Sequence, residues 1–419
     1  MSVSAFEDAI KRAVTADSGR LLAGVTLAAA GSRGRDEPSE PRDYLAAYGT
    51  LQPDPASPTV SNATVMWLAS CSKLVTAIAT LQCVERGLFT LDDPEDADRL
   101  LPEWRNPEIL TGWTDDDSPI LQPAKEKITL RKLLTHTSGV AYDFMHPTLL
   151  RWRQSRGEGP LSMQAPITEG FATPLVFEPG SGFAYGGGLD LAGLMVARSN
   201  GCTLEVYMRR NVFDVLGMDD TSFYLEHNDI RKRLMPMTCR ATPDGPLVDG
   251  YGSYVALDAT VSPRDEYGGA GLYGTAQDYL KLLKSVLRND GQLLKSESIE
   301  QLFKPCLSHA TQASLHQTLS DAMAASIMIP GEPLVGTHGA GEWSHALGGI
   351  VALQDSDQGL KAGCMRWGGA PNLKWWMDKK GGTCGMFATQ LFPPGEGKHA
   401  FLGKLYEKAM AAQLGNIGA

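Results

Sequence analysis

Short apolar runs and helical patterns alternate along the chain, and their order predicts its architecture. Residues 21–31 and 43–52 are apolar runs that end in glycine or turn residues, so they predict a β-hairpin that opens an antiparallel sheet. Apolar side chains recur at helical spacing in residues 68–87, which predicts a buried helix. Strand-like runs return over residues 348–392, and a final helix is predicted over roughly 397–413.

The region between these two sets of strands has a different character. It is punctuated by proline and glycine and contains several helical patterns, which predicts an inserted, mainly helical lobe. Strands at both ends with helices between them indicate the α+β class. We therefore predict a discontinuous body formed by residues 1–90 and 305–419, with residues 91–304 as the lobe.

The amino-acid composition limits the expected binding partners and cellular compartment of the protein. The 38 Lys and Arg residues are scattered and are outnumbered by 48 Asp and Glu, giving a net charge of −10, so neither nucleic acid nor an anionic membrane is an expected partner. The seven cysteines are widely spaced and form no C-x-x-C motif, as in proteins of a reducing compartment. No secretory signal or membrane-spanning apolar run is present, so we predict a cytoplasmic protein.

The strongest local signal is an S-x-x-K motif, Ser70 to Lys73, at the predicted start of the buried helix. Positions three apart lie on one helix face, so the hydroxyl and the amine can touch. Free backbone N–H groups at a helix N-terminus favour an oxyanion there. The alternative is an N-cap serine followed by a surface lysine. The apolar sequence from Leu74 onward favours a lysine beside the core, where burial disfavours the charged form.

Two further segments offer groups that would complete such a site. Tyr185 lies in a Gly-rich turn before a helical pattern, and next to Lys73 and Ser70 it would share a proton with them. Glycines in the turn 367–372 allow a backbone N–H to pair with that of Ser70 as an oxyanion hole. Taken alone, each has a simpler explanation, a half-buried turn tyrosine and a hairpin turn.

Five segments in a fixed order carry a family resemblance. They are SCSK (70–73), LLTHTSGV (133–140), AYGGGLDLAG (184–193), YGGAGLYGTAQDYLKLL (267–283) and RWGGAPN (366–372). Over roughly residues 60–390 this order resembles the serine β-lactamase-like superfamily, specifically its class C-like esterases and transesterases. Within that group the chain is most similar to the acyltransferase (transesterase) type of the fungal lovastatin pathway.

The resemblance implies a fold and a set of roles. The fold is an antiparallel sheet flanked by helices with an inserted helical lobe, and the active site lies between them. Ser70 would be the acyl-accepting nucleophile, Lys73 and Tyr185 its proton-transfer partners, and the backbone amides of Ser70 and Gly369 the oxyanion donors. The substrate-binding residues would be Tyr142, Trp367, Gly368 and Ala370.

The chain departs from the penicillin-handling members at two motifs. Their Y-x-N is replaced by Tyr185 followed by two glycines, and Trp367 replaces the lysine of their K-T-G. Losing that cation removes a charge-assisted contact of about 1.5–3 kcal/mol to a β-lactam carboxylate. We therefore expect poor binding of penicillins and better binding of an apolar acyl chain.

Three more motifs are rejected as functional sites. The G-x-G-x-x-G at 269–274 follows a polar segment and not a strand, which argues against a dinucleotide site. The resemblance makes His136 part of a structural wall and not a base. His338 and His345 lack an H-E-x-x-H motif and a nearby carboxylate, so no metal is predicted. We predict no cofactor.

The sequence thus predicts a serine acyltransferase that works through an acyl-Ser70 intermediate. The donor would be an ester or a thioester on coenzyme A or a carrier protein, which would be a transient partner. The acceptor would be an alcohol on a hydrophobic, secondary-metabolite-like molecule. A carboxylesterase or thioesterase that uses water needs the same residues and is a second possibility. A β-lactamase and a non-catalytic binding module of the same fold are also compatible with the sequence.

Overall fold

A computed structural model describes residues 2–415 except 16–18, 33–42, 241, 243–244, 251–264, 338–340 and 357–358. The helices are α1 Val3–Val14, α2 Ser72–Glu85, α3 Pro94–Leu100, α4 Leu130–Leu134, α5 Pro147–Ser155, α6 Ile167–Gly170, α7 Gly188–Asn200, α8 Leu204–Met208, α9 Asp214–Leu216, α10 Ile230–Arg233, α11 Ala276–Arg288, α12 Ser296–Phe303, α13 His309–Thr318, α14 Ala322–Met328 and α15 Gly397–Leu414. Single turns of 3₁₀-helix cover Ala69–Cys71, Pro102–Trp104 and His227–Asp229, and Arg209–Phe213 is a π-helical turn.

The strands are β1 Gly24–Gly31, β2 Tyr44–Gly49, β3 Met66–Trp67, β4 Glu108–Trp113, β5 Pro119–Pro123, β6 Thr238–Arg240, β7 Leu247–Asp249, β8 Tyr273–Gly274, β9 Trp343–His345, β10 Ile350–Ala352, β11 Met365–Gly369, β12 Leu373–Asp378, β13 Thr383–Ala388 and β14 Leu391–Phe392. Seven of them form one antiparallel sheet in the order β2-β1-β13-β12-β11-β10-β9. The predicted N-terminal hairpin is confirmed, with Gly24 opposite Gly49.

The sheet is buried on both faces. Successive side chains of a strand point to opposite faces, and in β1 Val25 and Leu27 join the apolar cluster of α1 and α15. Ala28 and Ala30 join the cluster that contains α11. Every residue of β1, β11, β12 and β13 is therefore buried. This two-sided burial explains why β1 and β13 contain no charged residue.

Helices and small sheets occupy the region between the sheet strands, which confirms the α+β class. The helix predicted over residues 68–87 is α2 with its preceding 3₁₀ turn, and nearly all of it is buried. The small strands include two hairpins, β4–β5 and β6–β7. Helix α11 lies within the range that the sequence assigns to the lobe, yet it packs on β1 and β13 of the sheet.

Strand β11 and the turn before α2, which are far apart in sequence, pack together at the predicted nucleophile. The end of β11 packs against the 3₁₀ turn Ala69–Cys71 that precedes α2. This turn also receives support from the segment before α11, since Leu68 N–H donates to the carbonyl of Leu272 over 2.9 Å. Tyr279 of α11 donates its hydroxyl to the carbonyl of Cys71 over 2.9 Å. The start of α2 is thus fixed on both sides.

Candidate active site

Ser70 is placed by a strained turn. Ala69, immediately before it, has φ of +47°, in the left-handed region that costs a non-glycine residue about 1–3 kcal/mol. Such a cost persists where the surrounding contacts hold the turn, and it presents Ser70 at the N-terminal end of α2 with only 8% of its surface exposed. The strain therefore coincides with the predicted nucleophile.

Lys73 is buried among oxygen atoms. Its Nζ donates to the carbonyl of Gly269 over 2.7 Å, to the Tyr142 hydroxyl over 3.1 Å and to Ser70 Oγ over 3.3 Å. An ammonium has three N–H donors and no acceptor, so these three oxygens satisfy it completely. Its side chain is 5% exposed, as expected from the apolar sequence that follows it.

Tyr185 makes the shortest contact to the predicted nucleophile. Its Oη lies 2.5 Å from Ser70 Oγ, and its ring lies 4.7 Å from Lys73 Nζ, within cation–π distance. A Lys73 ammonium that donates to Ser70 Oγ leaves the serine proton to point at Tyr185 Oη. The three side chains that the sequence singled out are therefore in mutual contact, and the serine proton has a direct path to the phenol.

The wall behind Tyr185 is aromatic. The rings of His136 and Trp367 lie 5.1 and 5.6 Å from the Tyr185 ring, and His345 packs against both. Burial lowers the pKa of His136 well below its ordinary value, and it lowers the pKa of His345 to about 4. Both imidazoles are therefore neutral near pH 7, and His136 packs edge-on against the Tyr185 ring.

The end of β11 approaches the nucleophile closely enough to contribute a backbone amide. A Cβ on Gly369 would stand 2.8 Å from the carbonyl oxygen of Leu68 and 3.4 Å from the Cys71 sulfur. Only glycine permits this approach between the strand and the turn that carries Ser70. The backbones of Ser70 and Gly369, the predicted oxyanion donors, therefore belong to two segments that pack against each other.

A pocket opens at Ser70. Its lining is apolar apart from three hydroxyl groups, and none of the described residues that line it carries a charge. The lining residues are Trp67, Ala69, Ser70, Tyr142, Phe144, Met145, Met163, Tyr185, Ala270, Met323, Ile327 and Ala370. A site of this kind favours an uncharged, apolar group next to the nucleophile.

Two of the four predicted substrate-binding residues lie in this pocket, and two do not. Tyr142 and Ala370 line it. Trp367 is 2% exposed and lines a second, small pocket together with Lys73 and the two histidines. A Cβ on Gly368 would meet the carbonyl of Ile327 at 2.7 Å, so this glycine packs against the end of α14. The structure thus does not bring Trp367 or Gly368 to the pocket at Ser70.

Sequence reasoning missed two residues that touch this site. Gly269 accepts from Lys73 through its carbonyl, and Asp190 is a fully buried carboxylate that contacts both Gly269 and Tyr142. Burial raises the pKa of Asp190 to about 6, and the Lys73 charge, the Gly269 N–H and the Tyr142 hydroxyl act in the opposite direction. The available signal was a single acidic residue within the otherwise apolar stretch 188–196.

The described ranges contain neither a metal cluster nor a membrane span. No group of three or more His, Cys, Asp or Glu side chains in them is arranged to hold a metal ion. His345 lies in β9, whereas His338 lies outside the described residues. No helix in the described part of the chain combines the length and apolar character needed to cross a bilayer. None of the seven cysteines, all of which lie in the described ranges, forms a disulfide.

Comparison with known proteins identifies the family of this chain. The family model described as Beta-lactamase matches residues 42–405. A lovastatin esterase from Penicillium rubens is 37% identical over 356 residues, covering 83% of this chain and 86% of that protein. A monacolin J acid methylbutanoyltransferase from Aspergillus terreus is 36% identical over 349 residues, covering 83% of this chain and 81% of the relative.

The solved structures confirm the fold. Unliganded simvastatin synthase from Aspergillus terreus superposes with a TM-score of 0.86 at 32% identity, covering 98% of both chains. This match confirms the expected β-lactamase-like architecture of an antiparallel sheet with flanking helices. The family resemblance that the five sequence segments carry is confirmed by the same comparisons, and the chain belongs to the beta-lactamase family.

Proposed function

We propose that this protein is a serine acyltransferase that forms an acyl-Ser70 intermediate and passes the acyl group to an alcohol. The observation that carries the proposal is the contact among Ser70, Lys73 and Tyr185, in which Ser70 Oγ lies 2.5 Å from the phenol oxygen and 3.3 Å from Lys73 Nζ. The methylbutanoyltransferase similarity supports transfer as the reaction.

The first half-reaction acylates the serine. Ser70 Oγ attacks the donor carbonyl carbon while its proton passes to whichever partner is in its basic form, the Tyr185 phenolate or the neutral Lys73 amine, so that one proton leaves Ser70 as one base is protonated. The carbonyl oxygen becomes an oxyanion held by the backbone N–H groups of Ser70 and Gly369. When the tetrahedral intermediate collapses, the bond to the leaving group breaks, and that thiol or alcohol leaves with the proton.

The second half-reaction reverses these roles. The acceptor hydroxyl takes the place of the leaving group, gives its proton to Tyr185 and attacks the acyl carbon. Collapse of the new tetrahedral intermediate returns a proton to Ser70 and releases the ester. The catalytic groups end as they began, so no cofactor is consumed.

The pocket supports a hydrophobic pair of substrates. Its uncharged, methionine-rich lining, with Met145, Met163 and Met323, suits an aliphatic acyl group and an apolar acceptor. We propose a thioester of coenzyme A or of a carrier protein as donor, with the anionic part outside the pocket, and a secondary-metabolite-like alcohol as acceptor. Tyr142 and Ala370 would contact the substrates, whereas Trp367 and Gly368 would act on them only through their neighbours.

Hydrolysis is the second candidate. The lovastatin esterase similarity favours it, because an esterase uses water where a transferase uses an alcohol. The two reactions share Ser70, Lys73 and Tyr185 and differ in what attacks the acyl-enzyme. A β-lactamase reaction has less support, because no described residue lining the pocket offers a cation for a β-lactam carboxylate.

The same geometry supports the predicted division of the chain. Ser70 and Ala370 come from the proposed body, residues 1–90 and 305–419, and Tyr142 and Tyr185 come from the proposed lobe, residues 91–304. We propose that the pocket lies between these two parts. We propose a cytoplasmic location, which the odd number and wide spacing of the cysteines and the lack of a C-x-x-C motif support.

The test is intact-mass spectrometry of the full chain with acetyl, butanoyl and 2-methylbutanoyl coenzyme A. We expect a stoichiometric acyl adduct on the wild type and none on Ser70→Ala. A chase with monacolin J acid, the acceptor in the relative's name, or with water then separates the two candidates. Faster loss of the adduct with the alcohol supports transfer, and equal loss supports hydrolysis. An adduct on Ser70→Ala refutes both.

A further inference from the structure

Asp190 is a buried carboxylate in the first turn of α7, five residues after Tyr185. It has no exposed surface. Removing a carboxylate from water is costly unless hydrogen bonds and a nearby positive charge compensate. Its contacts therefore indicate why an acidic residue occupies this position.

Those contacts lead to the groups around Lys73. Asp190 Oδ1 accepts the Gly269 N–H over 2.8 Å, and Oδ2 lies 3.4 Å from the Tyr142 hydroxyl. A Cβ on Gly269 would stand 2.6 Å from Oδ2, so the chain at 269 lies directly on the carboxylate. Gly269 and Tyr142 are also the residues whose oxygens accept from Lys73.

The direction of the hydrogen bonds follows from the chemistry of the groups. The ammonium form of Lys73 can only donate, so in that form the Tyr142 oxygen accepts from it and the single hydroxyl proton of Tyr142 points to Asp190. The chain therefore runs from Lys73 through Tyr142 to Asp190. The Gly269 backbone forms a second, parallel link, because its N–H is held by the same carboxylate.

We propose that Asp190 is a positioning residue, which holds the two oxygen atoms that fix Lys73 Nζ beside Ser70 Oγ and balances the charge of Lys73 from behind. The proposal rests on the proposed function of Ser70, Lys73 and Tyr185. Asp190 does not touch the pocket or the reacting atoms. It acts through Tyr142 and Gly269.

The amide variant Asp190→Asn tests the direction of the links. Asparagine keeps the shape and one oxygen, but its NH₂ group donates to Tyr142, and the phenol proton then opposes the donating Lys73. A displacement of the Lys73 amine by about 1 Å is expected to slow acylation of Ser70 about 10²-fold. The matched control is Glu266→Gln, because Glu266 is a buried carboxylate that likewise accepts one backbone N–H and one tyrosine hydroxyl.

The pH profile separates positioning from a structural role. The titratable groups facing Asp190 are Lys73 from α2 and Tyr142 from the loop before α5. We expect wild-type acylation to fall as the pH drops through about 6, because protonation removes the negative charge behind Lys73. The acylation rate of Asp190→Asn should not show this fall near pH 6, whereas that of Glu266→Gln should show it.

The experiment measures acylation by butanoyl coenzyme A from pH 5 to 8, with folding checked by circular dichroism. Tyr142→Phe is the second variant, which breaks the link without changing Asp190, and it serves alone if Asp190→Asn does not fold. We expect the acylation rate of the double variant Asp190→Asn/Tyr142→Phe to lie within about threefold of the slower single variant, because two residues of one hydrogen-bond network do not act additively. The inference is overturned if the folded variants acylate at the wild-type rate and their rate still falls below about pH 6. Absence of any wild-type adduct refutes the proposed function instead.

Discussion

Gly369 lies against the carbonyl oxygen of Leu68, so that a Cβ on this glycine would stand 2.8 Å away. Changing Gly369→Ala is expected to push the end of β11 away from the turn that carries Ser70. Loss of a well-placed oxyanion donor costs about 10²–10³-fold in rate. The acylation rate should fall by this factor, whereas Gly159→Ala, which adds a methyl group into open space, should acylate at the wild-type rate. Equal rates for both variants would exclude Gly369 from the oxyanion hole.

Tyr185→Phe removes the oxygen that lies 2.5 Å from Ser70 Oγ. We expect the acylation rate to fall about 10²–10⁴-fold, the contribution of a positioned general base. Tyr224→Phe is a suitable control, because it removes a phenol that hydrogen-bonds Glu266 and is not among the residues lining the pocket. Quenched-flow mass spectrometry of the adduct measures the step directly. A loss below fivefold would remove Tyr185 from the mechanism.

Cys71 follows the nucleophile in sequence, yet its thiol is fully buried. Burial raises the pKa of the thiol, partly offset by the Lys73 charge, so it stays protonated at neutral pH. A protonated thiol is a poor nucleophile. Cys71→Ala should therefore keep acylation within about twofold of the wild type while lowering the free energy of unfolding by about 1 kcal/mol. Labelling of native Cys71 by iodoacetamide would contradict this description.

Asp190 also predicts how stability depends on pH. Burial raises its pKa to about 6 in the folded chain from an ordinary value of 3.8, so the folded state holds a proton that the unfolded state has released. Stability therefore falls as the pH rises from about 4 to 6. A rise of this size in the pKa corresponds to about 1–4 kcal/mol.

Asp190→Asn removes this cost of ionisation. Between pH 4 and pH 7 we expect the melting temperature of the variant to rise relative to the wild type, even as its acylation rate is low. Glu266→Gln again provides the comparison. If the melting temperatures of the wild type and Asp190→Asn change in the same way between pH 4 and pH 7, the ionised carboxylate is not destabilised in the folded protein.

Ile327 lines the pocket at Ser70 from α14 and is almost fully buried. Ile327→Ala enlarges the apolar space, and each extra methylene accommodated is worth about 1–3 kcal/mol of selectivity. The ratio of hexanoyl to acetyl transfer should rise at least about tenfold, with a loss of about 2–5 kcal/mol in stability. Competition between the two coenzyme A thioesters measures this ratio. An unchanged ratio would place the acyl chain elsewhere.

Much of the site follows from local sequence. The three-residue spacing of Ser70 and Lys73 requires a shared helix face, and the Gly-rich turn at Tyr185 presents a phenol before a helix. The roles of these residues remain predictions, but their mutual contact is present. The apolar runs likewise predicted the N-terminal hairpin because an apolar run and the turn residues that end it are local properties.

The positions that escaped prediction depend on long-range packing. Asp190 and Gly269 are 79 residues apart, and no local pattern indicates that they meet. Trp367 was expected at the substrate, but β11 is buried on both faces, so alternation along the strand could not tell which face meets the pocket. The hairpin β4–β5 was not predicted, because the region that contains it was predicted to be mainly helical.

The pairing of β1 with β13 has a consequence for how the polypeptide matures. Thr26 of β1 lies opposite Ala388 of β13, so these two strands pair only when segments that are far apart in sequence associate. Long-range pairing of this kind slows folding. During synthesis, β1 and β13 cannot pair until β13 has left the ribosome, and a nascent fragment that carries Ser70, Lys73 and Tyr185 but not β11 lacks the strand that packs against the turn at Ser70. The surroundings of Ser70 are therefore completed only after β11 has been synthesised.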